Sequence, residues 1–580
     1  MYSEPDHDPN VDDDSGERSG HRRAQLPGSG LDSLTGPSPA VRYADSMRHR
    51  PGRVFWISIL GVGTFTLWGV LSPDGMAAAM TTAMDAVAAK VGWVYLVLTL
   101  GCIGLLVYLG FGRFGRVRLG ADDDRPEYST WAWLTMILSA VMGIGLISYG
   151  VAEPITHFTT PPHGLADPGT NEAAVRALQF SYFDWGPHAW AVFGVFGLAI
   201  AYSTHRRGNT GLISPMLRPL FGKAMDGWLG NVIDILAVIA TLFGTTTSLG
   251  LGASQISEGL NRVFGIPNEL FVQIIIILGI TVVFTLSALS GVNRGIKFLS
   301  QTTAVLSIFL GLFVLIVGPT GFIGNLFFRS TGEYLNDFFK VSLLTPLVSG
   351  DVEWYQYWTY FMMAWWLSWG AFVGVFLAKI SKGRTVREFV LGVMGIPSLV
   401  FFVWFTIFGG TAIKIDMDGD GGIGAAAAED VNSAFFETLE HLPWVGLTSV
   451  IAILLVVLYF VSGADANTFV LSMLTSRGTL EPSRWVLAVW GALTGTSAMV
   501  LFFAGGLAAL QQAAMLSALP FAVIVALLGY CIVKTLHEDQ TMDAYRTVRR
   551  RDLETGGTGT RGEESVDIDD TTVKPAPAAD

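Results

Sequence analysis

Apolar residues in this chain run together in blocks of about twenty. A bilayer core of about 30 Å takes about twenty apolar residues per helix, so each block predicts a membrane span. Twelve blocks can be read, near 54–72, 91–111, 130–150, 179–203, 231–257, 269–289, 299–325, 356–379, 388–411, 444–465, 484–505 and 512–534. Residues 333–348 carry Glu333, Asp337 and Lys340 among apolar neighbours and predict a segment lying along the membrane surface. The expected fold class is therefore an all-α polytopic membrane protein.

Composition supports this picture. Of 580 residues, 51% are hydrophobic and only 14% charged, with a mean hydropathy of +0.48, where soluble proteins carry about 25% charged residues. The net charge of −12 comes largely from the tails and from residues 416–440. It carries no message about acidic substrates, and no basic stripe points to nucleic acid. Cys102 and Cys531 lie inside apolar runs, without metal-type or disulfide-type spacing. Residues 1–50 lack the apolar region of a signal peptide and read as a disordered cytoplasmic tail. The transporter domain then spans 51–535, and 536–580 form a second cytoplasmic tail. Arg546, Arg549, Arg550 and Arg551 give that tail a short basic cluster able to meet anionic lipid.

Lys and Arg in short loops set orientation. Loops on the side of the N-terminus hold clusters such as Arg113, Arg116 and Arg118, or Lys379, Lys382, Arg384 and Arg387. The opposite loops hold scattered residues such as Lys90, Arg262 and Lys414. Both termini are expected in the cytoplasm of a plasma-membrane protein.

Chemistry concentrates in a few spans. The third reads SAVMGIGLISYGVAEP, with Gly143, Gly145 and Gly150 in mid-membrane. Glycines there either let helices pack closely or unwind the helix and free carbonyls toward a cavity, as in secondary transporters. The fourth span holds Trp185, Trp190 and Phe193; the eighth holds Trp365, Trp366, Trp369, Phe372 and Phe376. Trp354 and Trp358 fit an interfacial aromatic belt. The other three tryptophans of the eighth span lie nearer its middle, with Trp366 and Trp369 on one helical face. A methylated ammonium cannot donate a hydrogen bond, so aromatic faces suit it better than carboxylates, each ring contributing about 0.5–2 kcal/mol.

Thr241 and Thr245 share a face of the fifth span, where their hydroxyls could converge on a small cation or bond carbonyls of their own helix. In the tenth span Ser462 and Gly463 interrupt an apolar run before Asp465. An intramembrane acid marks a site, unless Asp465 pairs with a loop cation. His188 is expected to hydrogen-bond locally beside the two tryptophans. Asp416, Asp418 and Asp420 resemble the start of a calcium loop, but Ala427 stands where the bidentate glutamate would be, so an external Asp-Gly turn is expected. No zinc-protease or phosphate-cradling motif argues for an enzyme, and no row of pore-lining charges argues for a channel.

These stretches together resemble the betaine/carnitine/choline transporter family. The resemblance covers about residues 50–535 and rests on MGIGLISYGVAEP, the Trp185–His188–Trp190 segment, IATLFGTTTSLGLGA, LSALSGVNRGIKFLS and WTYFMMAWWLSWGAFVGVFLAKISKGRTVREF. It implies a LeuT-like fold of twelve transmembrane helices with two inverted five-helix repeats, about 129–326 and 356–535, assembled as a homotrimer.

By motif position the resemblance places Trp185, Trp190 and Trp366 in a substrate box, with Phe193 where many members have tyrosine. Met142, Gly143 and Gly145 border it; Trp365, Trp369 and Phe376 line the path inward. One sodium site is implied at the carbonyls of Ser139, Met142 and Tyr459 and the hydroxyl of Ser462, and Gly463 removes a hydroxyl that many members add. A second is implied at Thr241, Thr245 and Phe372. Gly145 replaces the aspartate of choline-type members, which favours a zwitterion. The expected function is sodium symport of glycine betaine or an ectoine- or proline-type zwitterion by alternating access. The partners are solute and membrane lipid, with Na⁺ as coupling ion and no other cofactor. A proton-coupled choline or carnitine transporter and an osmotic sensor without transport are the alternatives.

Overall fold

The computed structural model describes residues 51–554, apart from Met142, His163, 291–292, 348–350, 420–421 and Leu480. The expected tail 1–50, most of the tail beyond 554, and Asp420 therefore lie outside the described residues.

In lipid every backbone amide must find its partner within the protein, and an apolar run does this locally only as a helix. The described residues accordingly lie mostly in helices, the longer of which follow in chain order. They are α1 (Arg53–Leu71), α2 (Pro73–Val91), α3 (Trp93–Phe111), α4 (Thr130–Val141), α5 (Ile144–Thr159), α6 (Asn171–Trp185), α7 (Pro187–Ala201), α8 (Trp228–Phe264) and α9 (Leu270–Ser290). There follow α10 (Asn293–Val317), α11 (Thr320–Asn336), α12 (Val352–Ile380), α13 (Val386–Met417), α14 (Ile423–Glu429), α15 (Ser433–Glu440), α16 (Val445–Thr475) and α17 (Arg484–Glu554).

Eight of the described helices are long and apolar enough to cross a membrane, or nine if the bent pair α10–α11 is one span. The difference from twelve apolar blocks has local causes. The block at 130–150 is broken at Gly143 (φ −112°, ψ −149°), which separates α4 from α5. That at 179–203 breaks at Gly186, where Pro187 opens α7; a proline is tolerated there because the first amides of a helix have no internal partner. The last two blocks run together as α17, kinked at Gly505 and Gly506. The amphipathic segment expected from residue 333 starts instead at Thr320, where α11 turns 108° from α10. Pro319 sits at that bend and cannot continue a helix. Residues 73–91, outside every apolar block, form α2, which buries Met76, Met80 and Met84 along one face.

Burial sorts the helices. The most apolar span, α9, is only 22% buried, whereas the least apolar, α12, is 89% buried. In water the order would be reversed; in a bilayer the apolar helices form the shell and the polar, aromatic ones form the centre. Helix α12 packs mainly on α7. Gly370 and Gly374 make that approach possible, since a Cβ on either would lie within 2.5 Å of Phe196. Thr385 opens α13 with a capping box: its hydroxyl accepts the Glu388 amide, and the Glu388 carboxylate accepts the Thr385 amide.

Candidate functional site

The break at Gly143 directs α5 across the end of α6. Trp185, the last residue of α6, reaches over Gly145 so closely that a Cβ there would lie 2.2 Å from the indole ring. Its ring meets Trp366 of α12 edge-to-face at 4.9 Å. Trp366 is backed by Trp365, stacked at 5.2 Å, and Trp185 by Phe401 of α13, stacked at 5.6 Å. Phe193 touches Trp366 at 6.0 Å. Trp190 joins one ring further out, through Phe193 at 5.7 Å and Phe401 at 6.0 Å. Trp369 meets Trp365 at 5.9 Å and Phe372 at 5.8 Å. Phe376 follows Phe372 by four residues and is half-buried.

The indole edges are pinned. Trp366 donates to the Asp184 carbonyl at 2.8 Å, and Trp365 to the Gly244 carbonyl at 3.2 Å. Trp185 donates to Glu153 Oε2 at 2.6 Å. With their N–H groups committed, these rings offer only π surface to a ligand, which suits a cation that cannot hydrogen-bond.

The cation candidates divide. Thr245 donates to the Thr241 carbonyl at 3.0 Å, so this hydroxyl serves its own helix. The Thr241 hydroxyl is buried and has no hydrogen-bond partner among the described residues. The Tyr459 hydroxyl exchanges a 2.8 Å hydrogen bond with Ser307 of α10, and Ser462 is half-buried on α16. Met142 and the side chain of Ser139 lie outside the described residues.

Other expectations change. Trp358 is no interfacial belt residue: it is buried against Tyr149 and His157. His188 bonds Ser342 at 2.8 Å, far along the chain, rather than a neighbour in its own segment. Asp465 accepts a 2.7 Å hydrogen bond from Ser287 instead of pairing with a loop cation. Asp416 accepts the amides of Ile423 and Gly424 at 2.8 and 2.9 Å, the behaviour of a turn-capping aspartate.

Sequence reasoning missed Glu153, His157 and Asp184, whose ligand atoms lie within 4.8 Å of one another beside Trp185. The signal was present: an acid and a histidine four apart in a membrane segment mark a site as much as Asp465 does. It also missed Tyr149, Phe401 and Phe405, each in ring contact with Trp185. Elsewhere, a cavity of about 450 Å³ lined by Tyr202, Arg207, Arg218, Cys531 and Glu538 among others involves none of the candidate residues.

A shell of apolar helices around a centre of pinned tryptophans defines a multi-pass membrane protein with a buried aromatic site. A family model described as "BCCT, betaine/carnitine/choline family transporter" matches residues 53–541. The chain is similar to the glycine betaine transporter OpuD of Bacillus subtilis, with 42% identity over 84% of this chain and 94% of that one. It is similar also to the ectoine/hydroxyectoine transporter of Virgibacillus pantothenticus, with 38% identity over 84% of this chain and 97% of that one. A third relative is the betaine/ectoine transporter LcoP of Corynebacterium glutamicum, with 37% identity over 88% and 81%. The chain belongs to the betaine/carnitine/choline transporter family; it is a cell-membrane transporter and not an enzyme.

Proposed function

We propose that the protein imports a zwitterionic compatible solute, glycine betaine or an ectoine-type compound, by sodium symport with alternating access. The carrying observation is the Trp185–Trp366 pair, each ring backed by a stacked neighbour and each N–H already bonded. Such a pair can hold a trimethylammonium head by its faces alone. The names of the relatives support the solute class.

The proposed architecture counts twelve spans, taking α4–α5 and α6–α7 as one broken span each and dividing α17 at Gly505. Its last ten spans form two inverted repeats, both termini are cytoplasmic, and three copies assemble. Sodium would meet the free hydroxyl of Thr241 at one site and Ser462 with the Tyr459 carbonyl at the other. One observation favours a second reading: Gly463 offers no hydroxyl beside Ser462, which weakens that sodium site and leaves proton coupling as the alternative. Uptake of radiolabelled betaine into proteoliposomes, with sodium and pH gradients imposed separately, tests both. Uptake driven by sodium alone supports the first reading, and uptake that follows only the pH gradient overturns it.

A further inference from the structure

Behind the tryptophan pair lie three ionisable side chains with almost nothing to neutralise them. Glu153 and His157 stand one turn apart on α5, and Asp184 comes from the end of α6; their exposures are 0%, 1% and 0%. Glu153 Oε1 lies 3.7 Å from His157 Nε2. That carboxylate oxygen, both ring nitrogens of His157 and both carboxylate oxygens of Asp184 have no hydrogen-bond partner among the described residues. No Lys or Arg among the described residues is within ion-pair distance of the group.

Two buried carboxylates this close cannot both be ionised beside a neutral imidazole; a proton or a cation must be shared among them. A tightly bound divalent metal fits poorly. A metal-bound imidazole has its second nitrogen held by a hydrogen-bond partner, and here neither nitrogen of His157 has one among the described residues, although the ligand atoms lie within 4.8 Å of one another. Instead the imidazole lies against the rings of Trp354 and Trp358, both at 4.9 Å.

We propose that Glu153, His157 and Asp184 form a proton-binding site linked to the solute box through Trp185. The link is the 2.6 Å hydrogen bond from the Trp185 indole to Glu153 Oε2, which is strongest while Glu153 is ionised. An ammonium over Trp185 places positive charge beside the cluster and favours the form with one proton fewer. Solute binding therefore releases a proton, and by reciprocity protonation weakens solute binding. This makes the cluster a pH-sensitive brake on the box, the opposite sign from proton symport, in which solute and proton bind together.

The other titratable groups around this space do not supply the effect. Tyr149 on α5, Tyr182 on α6, Tyr334 on α11 and Tyr357 on α12 are phenols, neutral over the range concerned, and Glu437 and Glu440 of α15 are paired with Arg262. On the neighbouring helices, His188 of α7 is bonded to Ser342, Glu258 of α8 is paired with Arg262, Lys414 of α13 is paired with Asp418, Asp416 caps a turn, and Asp430 beyond α14 accepts the Asn432 amide.

Infrared difference spectroscopy between about pH 5.5 and pH 8.5 on the purified, sodium-loaded protein tests this. The expected result is a carbonyl-stretch band from a protonated buried carboxyl that titrates in the parent and is lost in Asp184→Asn. Adding glycine betaine at fixed pH should diminish the band and lower its titration midpoint by about half a pH unit. His157→Gln, a milder change, should also displace the midpoint. A parent without such a band, or a band unchanged in Asp184→Asn, overturns the site; so does stoichiometric Zn²⁺ binding that Asp184→Asn abolishes. The inference rests on the betaine reading only for its link to the box, and a betaine isotherm on the same sample separates the two. Betaine that binds without moving the midpoint overturns the link. Failure to bind betaine at any pH overturns the solute reading, while the band in the parent and in Asp184→Asn still decides the proton site.

Discussion

Gly145 and Trp185 fit one another so closely that a single added carbon would separate them: a Cβ at 145 would stand 2.2 Å from the indole Cη2 and 2.5 Å from Cζ3. The glycine leaves the space in which the tryptophan lies. Gly145→Ala is therefore expected to push Trp185 off Trp366 and weaken binding of betaine and choline alike, by about tenfold each. The same contact alters what an aspartate here would do. Its charge would favour choline over betaine only after the ring had moved, so Gly145→Asp should lose more betaine uptake than choline uptake, with both below the parent. Competition uptake with the two solutes checks this, and a variant that gains absolute choline uptake would show that the ring yields freely.

Trp366 contributes both a ring face and a fixed orientation, through its 2.8 Å bond to the Asp184 carbonyl. Trp366→Leu removes both and should weaken betaine binding at least about tenfold, or 1–2 kcal/mol. Trp366→Phe keeps a face but loses the bond, and should fall between the two. Isothermal titration at saturating sodium measures the series; equal affinity in all three would remove Trp366 from the box.

The two threonines of α8 are not equivalent. Thr241 has a buried hydroxyl with no partner among the described residues, whereas Thr245 spends its own on the Thr241 carbonyl. Thr241→Ala should raise the sodium concentration for half-maximal uptake several-fold, by about 1 kcal/mol for a lost oxygen ligand. Thr245→Ala should change it less. A larger effect at Thr245 would place the ion elsewhere.

Outside the spans, Arg176 ties α6 to the end of α11, donating to Asp337 at 2.7 Å and to Glu172 at 2.9 Å. The Arg176 guanidinium holds the Asp337 carboxyl below its usual range. A carboxyl whose folded pKa is depressed contributes stability above its unfolded pKa, about 3.9, and loses it as the pH falls through the folded value. Asp337→Asn should therefore lower thermal stability at pH 7, by about 1 kcal/mol or less for a partly exposed pair. The difference from the parent should begin to shrink below about pH 4 and vanish only once the pH has fallen past the depressed folded pKa. Melting curves across pH decide it, and a gap that persists in acid would mean that something other than ionisation is lost.

The sequence by itself determined where most of the long apolar helices form, because in lipid an apolar run has no other way to pair its amides, but it did not reveal α2. It also placed Trp365, Trp366 and Trp369 within one span, since this depends only on neighbours along the chain, whereas it left Gly143, Gly145 and Gly150 open between close packing and a break, which the structure puts at Gly143. The tertiary structure alone decided which faces meet. That Trp185 lies on Trp366, that Trp358 turns inward onto His157, and that Glu153 and Asp184 converge behind the box are contacts between segments far apart in sequence. So is the choice between two similar threonines, one free and one satisfied. Local hydrogen bonding sets the helices one by one, but the pairing of side chains follows from how the whole bundle fills its interior, and no single stretch of the chain carries that information.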